Sequence, residues 1–392
     1  MRIFVLGAGA TGSLLAQLLE RQGHTVWCGD RDPERARRFL GKKSTIAVTE
    51  VNARNLRGIV KTAKGCQLIV NASASVFNEI VLRAALRLRA HYVDLSSHLT
   101  RHPFKAEQFR YEKKFEEKNR VALINAGVAP GLTNLLVKRA AEMDEVHDVH
   151  IRLYESSESD DPISQWSPEV SFDEAVSHPR VYRNGKFQLG KRFSEIEKFR
   201  FPDPIGTVRV VLAAQDEVAT LPRFIPMREL DVKIGGNEID RLRRWHKQGK
   251  LSRSRGMARH HFPQTSSPRM IAKLIRQGIL QNARFAAAVL VRGVKHNKKD
   301  DQYLLIRSDC MFPTLYQIRQ QGRLTTPVAY ATAHVVALFI KFFPREVAGV
   351  FAPEMLPAET RRAILAGIRN GGIRITHKTT VLKHISEDEE EF

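Results

Sequence analysis

Residues 3–12 read Ile3-Phe4-Val5-Leu6-Gly7-Ala8-Gly9-Ala10-Thr11-Gly12, an apolar run followed by a glycine-spaced turn. The run has the character of a buried strand. Gly12 to Arg21 then carries Leu14, Leu15, Leu18 and Leu19 at helical spacing. Strand, G-x-G-x-x-G turn and helix in that order form the context in which such a motif binds a dinucleotide. Gly7 permits the tight turn, Gly9 lets a pyrophosphate approach the backbone, and Gly12 lets the helix pack close to the sheet. Ala10 and Thr11 open the helix, whose N-terminal N–H groups and positive dipole end face the phosphates.

Outward from this turn the pattern repeats. Thr25-Val26-Trp27-Cys28 is a second strand, and Pro33 starts a helix at a position where a missing N–H costs nothing. Leu68-Ile69-Val70, Tyr92-Val93-Asp94-Leu95 and Val121-Ala122-Leu123-Ile124 are further strands, with a helix around Glu79 to Arg89 between the first two. Such alternation predicts an α/β fold, a doubly wound parallel sheet of Rossmann type with right-handed crossovers. After about residue 146 the texture changes to strands with longer connections: His147 to Tyr154, Gly206 to Leu212 and Glu229 to Ile234. Val289 to His296 and Gln302 to Ser308, joined by a polar turn, predict a hairpin. The expected division is a dinucleotide-binding domain over 1–130, an α+β substrate and dimerisation domain over 131–324, and a helical segment over 325–392 that packs back on the first domain and ends in an acidic tail.

The 392 residues are 43% hydrophobic and 27% charged, ordinary globular usage that excludes wholesale disorder, collagen and a membrane bundle. Lys and Arg number 63 against 42 Asp and Glu, a formal net charge of +21. That excess admits anionic partners without selecting one. Cys28, Cys66 and Cys310 include no CxxC pair, so neither a disulfide framework nor a Cys-rich zinc site is expected. No HExxH or other metal signature occurs, and no metal is expected. The apolar start is too short for a signal peptide, and Val328 to Phe343 is too short to span a bilayer and reads as a buried helix. A soluble, cytoplasmic protein is the expectation. Arg241 to His261 holds eight Lys or Arg and no Asp or Glu, but only Trp245 for stacking. It reads as a solvated basic loop rather than a specific nucleic-acid site. His260-His261 lies in it and reads as exposed.

Asp30 follows Gly12 by 18 residues, at the end of the second strand, where it can accept hydrogen bonds from the adenosine ribose. A carboxylate there repels a 2′-phosphate and favours NAD slightly; Arg31 and Arg35 follow at once and could hold that phosphate, so NADP stays open. Asn71-Ala72-Ser73, at the end of the fourth strand, should run beside the cofactor or simply turn the chain.

At Asn125-Ala126-Gly127-Val128-Ala129-Pro130-Gly131-Leu132 the chain resembles the saccharopine dehydrogenase-like family of oxidoreductases, which includes saccharopine reductases, lysine 6-dehydrogenases and carboxynorspermidine dehydrogenases. Asp30-Arg31-Asp32-Pro33-Glu34, His91 to Leu95, Trp166-Ser167-Pro168, Asp173-Glu174, Val181 to Lys186, Gln215 to Pro222 and Gly349 to Glu354 continue the resemblance in order. It implies a Rossmann domain with an inserted α+β substrate domain, NAD(P)-dependent hydride transfer at a C–N bond of an amino acid or polyamine, and a homodimer. Some relatives carry Asp or Cys where Asn125 stands. Gly127, Pro130 and Gly131 precede a helix at the carboxyl edge of the sheet, where a substrate carboxylate or the nicotinamide could sit.

Amine oxidation needs a group to take a proton. Asp94, at a strand end, is either that base or a cap. Glu217 and Asp173 are second-domain carboxylates suited to a substrate ammonium, and Tyr154 and Trp166 could line the pocket. The alternative function is a non-catalytic dinucleotide-binding or sensing protein that uses its basic segment for interaction.

Overall fold

The computed structural model describes residues 1–99, 101–158, 168–251, 268–277, 282–298, 300–323 and 325–382. Trp166, His260, His261 and the acidic tail lie outside the described residues. The chain begins with the strand β1 (Arg2–Leu6), then α1 (Ala10–Arg21), β2 (Thr25–Asp30), α2 (Pro33–Leu40), β3 (Ala47–Glu50), α3 (Leu56–Thr62), β4 (Leu68–Asn71), α4 (Asn78–Leu88), β5 (His91–Asp94), α5 (Glu112–Glu117) and β6 (Val121–Leu123). Next come α6 (Leu132–Ala140), β7 (Glu145–Ser156), α7 (Pro168–Val176), the short pair β8 (Arg180–Arg183) and β9 (Lys186–Leu189), β10 (Glu197–Arg200), β11 (Thr207–Leu212), α8 (Leu221–Phe224) and β12 (Glu229–Gly235). The rest is α9 (Asn237–Lys247), α10 (Pro268–Arg276), β13 (Arg284–Lys295), β14 (Gln302–Met311), α11 (Leu315–Gln320), α12 (Pro327–Lys341), β15 (Gly349–Phe351), α13 (Ala358–Gly367) and β16 (Arg374–Leu382).

Two sheets organise these elements. The first runs β15-β6-β5-β4-β1-β2-β3, all parallel. Its order reverses between β4 and β1, which sets a crevice above the carboxyl end of β1. Strands buried on both faces explain the unbroken apolar runs of β1 and β4. The second sheet runs β10-β11-β12-β7-β13-β14-β16, antiparallel except for β12 with β7; β8 attaches to β12 and carries β9. The fold is therefore a Rossmann-like parallel sheet joined to a second, mixed sheet. The β13–β14 hairpin pairs Ala286 with Met311 through Lys295 with Gln302, and its turn is polar as expected.

Helices α6 and α12 sit where the two sheets meet. Leu135 and Leu136 of α6 and Val335 and Val336 of α12 share one core with Ile3 and Val5 of the first sheet and with Ile151, Val232 and Val289 of the second. α12 packs on α1, and α6 packs on β13. Each such fully buried side chain contributes about 1.5–3 kcal/mol. The segment beyond residue 325 is not simply helical: β15 joins the first sheet beside β6, and β16 joins the second beside β14. β16 escapes a sequence reading because it is an edge strand whose run Arg374-Ile375-Thr376-His377-Lys378 is mostly exposed and polar. The basic loop expected from Arg241 onward is also different. Arg241 to Lys247 belong to α9, and Arg241 is buried, stacked on Trp245 and 3.9 Å from Glu238. Among the described residues no helix is long and apolar enough to cross a membrane.

Candidate active site

The three glycines of the first turn have different reasons to be there. Gly7 has φ +93°, and a side chain on it would meet the backbone of Ala72 and Ser73 at 2.7 Å. A side chain on Gly12 would overlap the Gly7 carbonyl oxygen. Both are demanded by packing within the chain. Gly9 is not. Its φ of −75° suits any residue, and an added Cβ would find only the Arg35 guanidinium, 4.0 Å away. Gly9 is also the N-cap of α1, with no side chain capping the helix. A helix start leaves N–H groups without intrahelical partners. Open space over a bare helix N-terminus fits the pyrophosphate of a dinucleotide.

Asp30 ends β2 beside this turn and is 5% exposed. Its Oδ2 accepts from the Ala8 N–H at 2.7 Å and its Oδ1 from the Asp32 N–H at 2.9 Å, so it also braces the turn. Arg35 stands 3.9 Å from Asp30, with a buried Nε that has no hydrogen-bond partner. Arg31 is exposed. Asn71 ends β4; its Oδ1 accepts from Ser73 and its Nδ2 donates to Asn78 at 2.8 Å, which holds Ala72 against Gly7.

Further along the same carboxyl edge, Asp94 is fully enclosed. It accepts from the Tyr92 hydroxyl at 2.9 Å, Gln108 Nε2 at 2.9 Å and the Asn125 N–H at 2.7 Å. Burial pushes its carboxyl up to about 8 despite those donors. This geometry is that of a brace: it holds Asn125, which has φ +55° and a buried Nδ2 without a partner. At the turn before α6, where a substrate carboxylate or the nicotinamide is expected from the sequence, the chain claims its own N–H groups. The Gly131 N–H donates to Asn134 Oδ1 at 3.0 Å, and the Leu132 and Thr133 N–H groups donate to the carbonyls of Gly127 and Val128. A side chain on Gly131 would overlap the Gly127 carbonyl, so the Gly127-Pro130-Gly131 turn is closed on itself.

What this helix start meets is the second sheet's own carboxylate. Thr133 Oγ1 donates to Glu217 Oε1 at 2.8 Å, and Asn134 Nδ2 donates to Glu354 Oε2 at 3.0 Å. Glu217 is fully buried, its Oε2 has no partner, and burial pushes it up to about 7. Next to it, Asp216 accepts from the Ser97 N–H at 3.0 Å and faces Arg180 at 3.7 Å; burial pushes it up to about 6. Arg180 is 6% exposed and its Nε is unpartnered. Glu107 accepts from Asn78 and the His98 N–H, and burial pushes it up to about 7. His98 lies 3.9 Å from Asp173 of α7. Carboxyl groups with pKa near neutrality are suited to give and take protons at working pH.

Tyr154 is elsewhere. Side chains alternate along β7, and its ring packs against Phe201 at 5.8 Å, on the sheet face opposite Glu155. Glu107, Gln108, Arg180, Asp216 and Glu354 were not singled out from sequence. Each lies in a loop or short element with no periodic signal; only the neighbouring segments at Glu217 and Gly349 to Glu354 pointed towards two of them. Among the described residues no group of His, Cys, Asp or Glu is arranged to hold a metal ion.

Residues 3–123 match the model of the saccharopine dehydrogenase NADP binding domain. The chain is 25% identical over 197 residues to a carboxynorspermidine synthase of Vibrio alginolyticus, covering 47% of each protein. It is 22% identical over 242 residues to a carboxyaminopropylagmatine dehydrogenase of Synechocystis, covering 57% of this chain and 59% of that one. The matched stretch thus spans about half of the curated relatives' length. Apo saccharopine dehydrogenase (L-Glu forming) from Saccharomyces cerevisiae has the same fold, with a TM-score of 0.67 at 11% identity over 97% of this chain and 99% of that chain. The glycine turn built for a dinucleotide agrees with these matches: residues 3–123 form an NAD(P)-binding domain of the saccharopine dehydrogenase type, and the chain has the saccharopine dehydrogenase fold.

Proposed function

We propose that the protein is an NAD(P)-dependent oxidoreductase that transfers hydride at a C–N bond of an amino-acid or polyamine-like substrate. The observation that carries this reading is a juxtaposition. The uncapped α1 turn, the carboxyl of Asp216 and the buried carboxyl of Glu217 gather along one edge, where the second sheet meets the carboxyl ends of the first. The printed names of the curated relatives support the C–N substrate class.

Gly9, Ala10 and Thr11 would hold the pyrophosphate, and Asp30 the adenosine ribose. Asp30 alone favours NAD. Arg35 beside it, with its free Nε, offers the 2′-phosphate of NADP a donor, and the proposal is that both cofactors bind, NADP through Arg35. When bound, the nicotinamide supplies the hydride acceptor or donor. Only a neutral amine can lose hydride, and Glu217 takes the ammonium proton on Oε2 while Thr133 fixes Oε1. Arg180 takes the substrate carboxylate through its free Nε. Asp94 positions Asn125, and Asp173 with His98 closes the rim. The homodimer belongs to the same proposal.

The test is a screen of both cofactors with lysine, saccharopine and short polyamines, read as reduced-cofactor absorbance. Turnover on amines that rises with pH is expected. Turnover on alcohols and never on amines overturns the C–N assignment, and bound cofactor with no turnover on any substrate favours a sensing protein.

A further inference from the structure

Part of the +21 net charge surrounds a cleft at the edge of the first sheet opposite the cofactor turn. β1 and β2 are parallel, so α1 and α2 run back along them and end at the amino edge of the sheet. At 1.5 Å per residue, Ala10 to Arg21 carries the end of α1 roughly 16 Å from the Gly9 turn. The cleft opens between these two helix ends and the turn that precedes α12. Arg21 of α1, Lys42 and Lys43 of the turn after α2, and Arg323 from the turn between α11 and α12 bound it. Its volume is about 490 Å³, which is the size of a small-ligand site.

One carboxylate faces these four cations. It is Glu20, whose Oε1 accepts from the Thr45 hydroxyl at 3.1 Å. Arg323 is half-buried, and the nearest charge acting on it is a second cation, Arg21; burial and Arg21 both push its pKa down. A neutral amide holds it there instead of a counter-charge. Its guanidinium donates to Gln17 Oε1, and Gln17 Nε2 donates to the Leu40 carbonyl at 2.6 Å. Across the cleft, Gln321 Oε1 accepts from the Tyr330 hydroxyl of α12 at 2.8 Å. Carbonyls at a helix end would repel an anion, but here the chain claims them. Leu40 O accepts from Gln17, Arg37 O from the Gly41 N–H at 2.9 Å, and Leu18 O and Leu19 O from the Gln22 N–H at 3.1 Å. Like charges fixed around an open cleft are relieved by an anion that neutralises them.

The lining fixes the class of anion. Four cations less one carboxylate leave a surplus of three positive charges, which suits a ligand with three or more negative ones. A guanidinium offers paired donors to phosphate or carboxylate oxygens, and the two lysines add point charges. Leu40 is the one apolar side chain among the described lining residues, and no aromatic ring is among them, so a nucleotide base has nothing to stack on. We propose that this cleft is a binding site for a compact polyanion, a phosphate chain or a tricarboxylate, separate from the dinucleotide turn. The site does not depend on the oxidoreductase reading.

The probes are tripolyphosphate and citrate, with inorganic phosphate alongside, titrated calorimetrically into the full chain at physiological ionic strength, where weak surface attraction is screened. At least one of the two polyanions should bind at least about tenfold more tightly than inorganic phosphate, and the tighter of the two identifies phosphate or carboxylate chemistry as the source. Arg323→Gln should weaken that binding at least about tenfold. Lys42→Gln combined with Lys43→Gln should do the same; both side chains are exposed, so the melting temperature should not move, and this variant carries the test should Arg323→Gln lower it. Two variants serve as controls and should each change the affinity less than about twofold. One removes two exposed charges elsewhere, Lys113→Gln with Lys118→Gln, and the other is Arg35→Ala at the cofactor turn. Equal weakening by the Lys113 and Lys118 pair overturns the proposal, because the anion then reads overall charge alone. Binding lost in Arg35→Ala and kept in the Lys42 and Lys43 variant overturns it by placing the anion at the cofactor turn, and so does failure of both polyanions to bind.

Discussion

The two glycine turns at the carboxyl edge of the first sheet look alike in sequence and differ in what they leave open. Before α1, Gly7 and Gly12 satisfy the chain's own packing, while Gly9 leaves space that no protein atom fills. Before α6, Gly131 is closed over Gly127, Asn134 accepts from the helix cap, and Thr133 reaches Glu217. The first turn is unfinished without a ligand, and the second is finished by the second sheet. A glycine turn at a helix start therefore signals an anion site only when the structure leaves its N–H groups and the space above them unclaimed. The second turn serves instead to hold the Glu217 carboxyl through Thr133.

The comparison can be broken at several points. The largest effect is expected at Gly12. Gly12→Val forces a side chain into the Gly7 carbonyl, and a loss of on the order of 4 kcal/mol in stability should appear as a failure to fold or a large drop in melting temperature. A normally stable Gly12→Val protein would show that α1 does not pack as described. Second is Glu217→Gln. If Glu217 takes the ammonium proton, amine turnover should fall by about 10²–10⁴. Wild-type turnover should rise as pH passes through about 7, because the carboxyl must be ionised to accept a proton and burial has raised its pKa there. The variant should lose that inflection, and an unchanged profile would assign the proton transfer elsewhere.

Third is Asp94. As a brace it should tolerate Asp94→Asn, whose remaining oxygen can still accept from the Asn125 N–H, with turnover falling by less than about tenfold and the pH profile intact. Asp94→Ala leaves Asn125, Tyr92 and Gln108 without their acceptor and should cost about 1–3 kcal/mol of stability. A loss in Asp94→Asn as large as in Glu217→Gln would make Asp94 the base. The smallest effect is expected at Arg35. Arg35→Ala should weaken NADP about tenfold and NAD hardly at all, a difference of about 1.4 kcal/mol read by calorimetry. Equal effects on both cofactors would remove Arg35 from the 2′-phosphate.

Legibility in the sequence follows the same division. The first sheet is periodic and buried on both faces, so β1, β2, β4, β5 and β6 stand out as apolar runs, and the turn, Asp30 and Asn71 are placed by their distance from strand ends. The antiparallel hairpin β13–β14 is also legible, because its strands are long and its turn is polar. β16 is not, since an exposed edge strand carries little apolar pattern. The second sheet's site residues are hardest of all. Asp216 comes from the turn after β11, and Arg180 from a four-residue strand. Along the chain each is a lone charge among many, and only tertiary packing removes it from water. Arg241 shows the reverse error. In a run of bases it reads as solvated, yet its neighbours bury it against Trp245 and Glu238.

Gly9 tests the central claim most directly, because the protein itself gives no reason for a glycine there. Gly9→Val should fold with a melting temperature close to that of the parent, since its φ is ordinary and the added carbon meets no backbone. Calorimetry with NADH and NADPH should show affinity for both reduced by about 100-fold or more, as the side chain occupies the place of the pyrophosphate. A folded Gly9→Val protein that binds either cofactor as tightly as the parent would contradict the assignment of the first turn, and with it the site built around that edge.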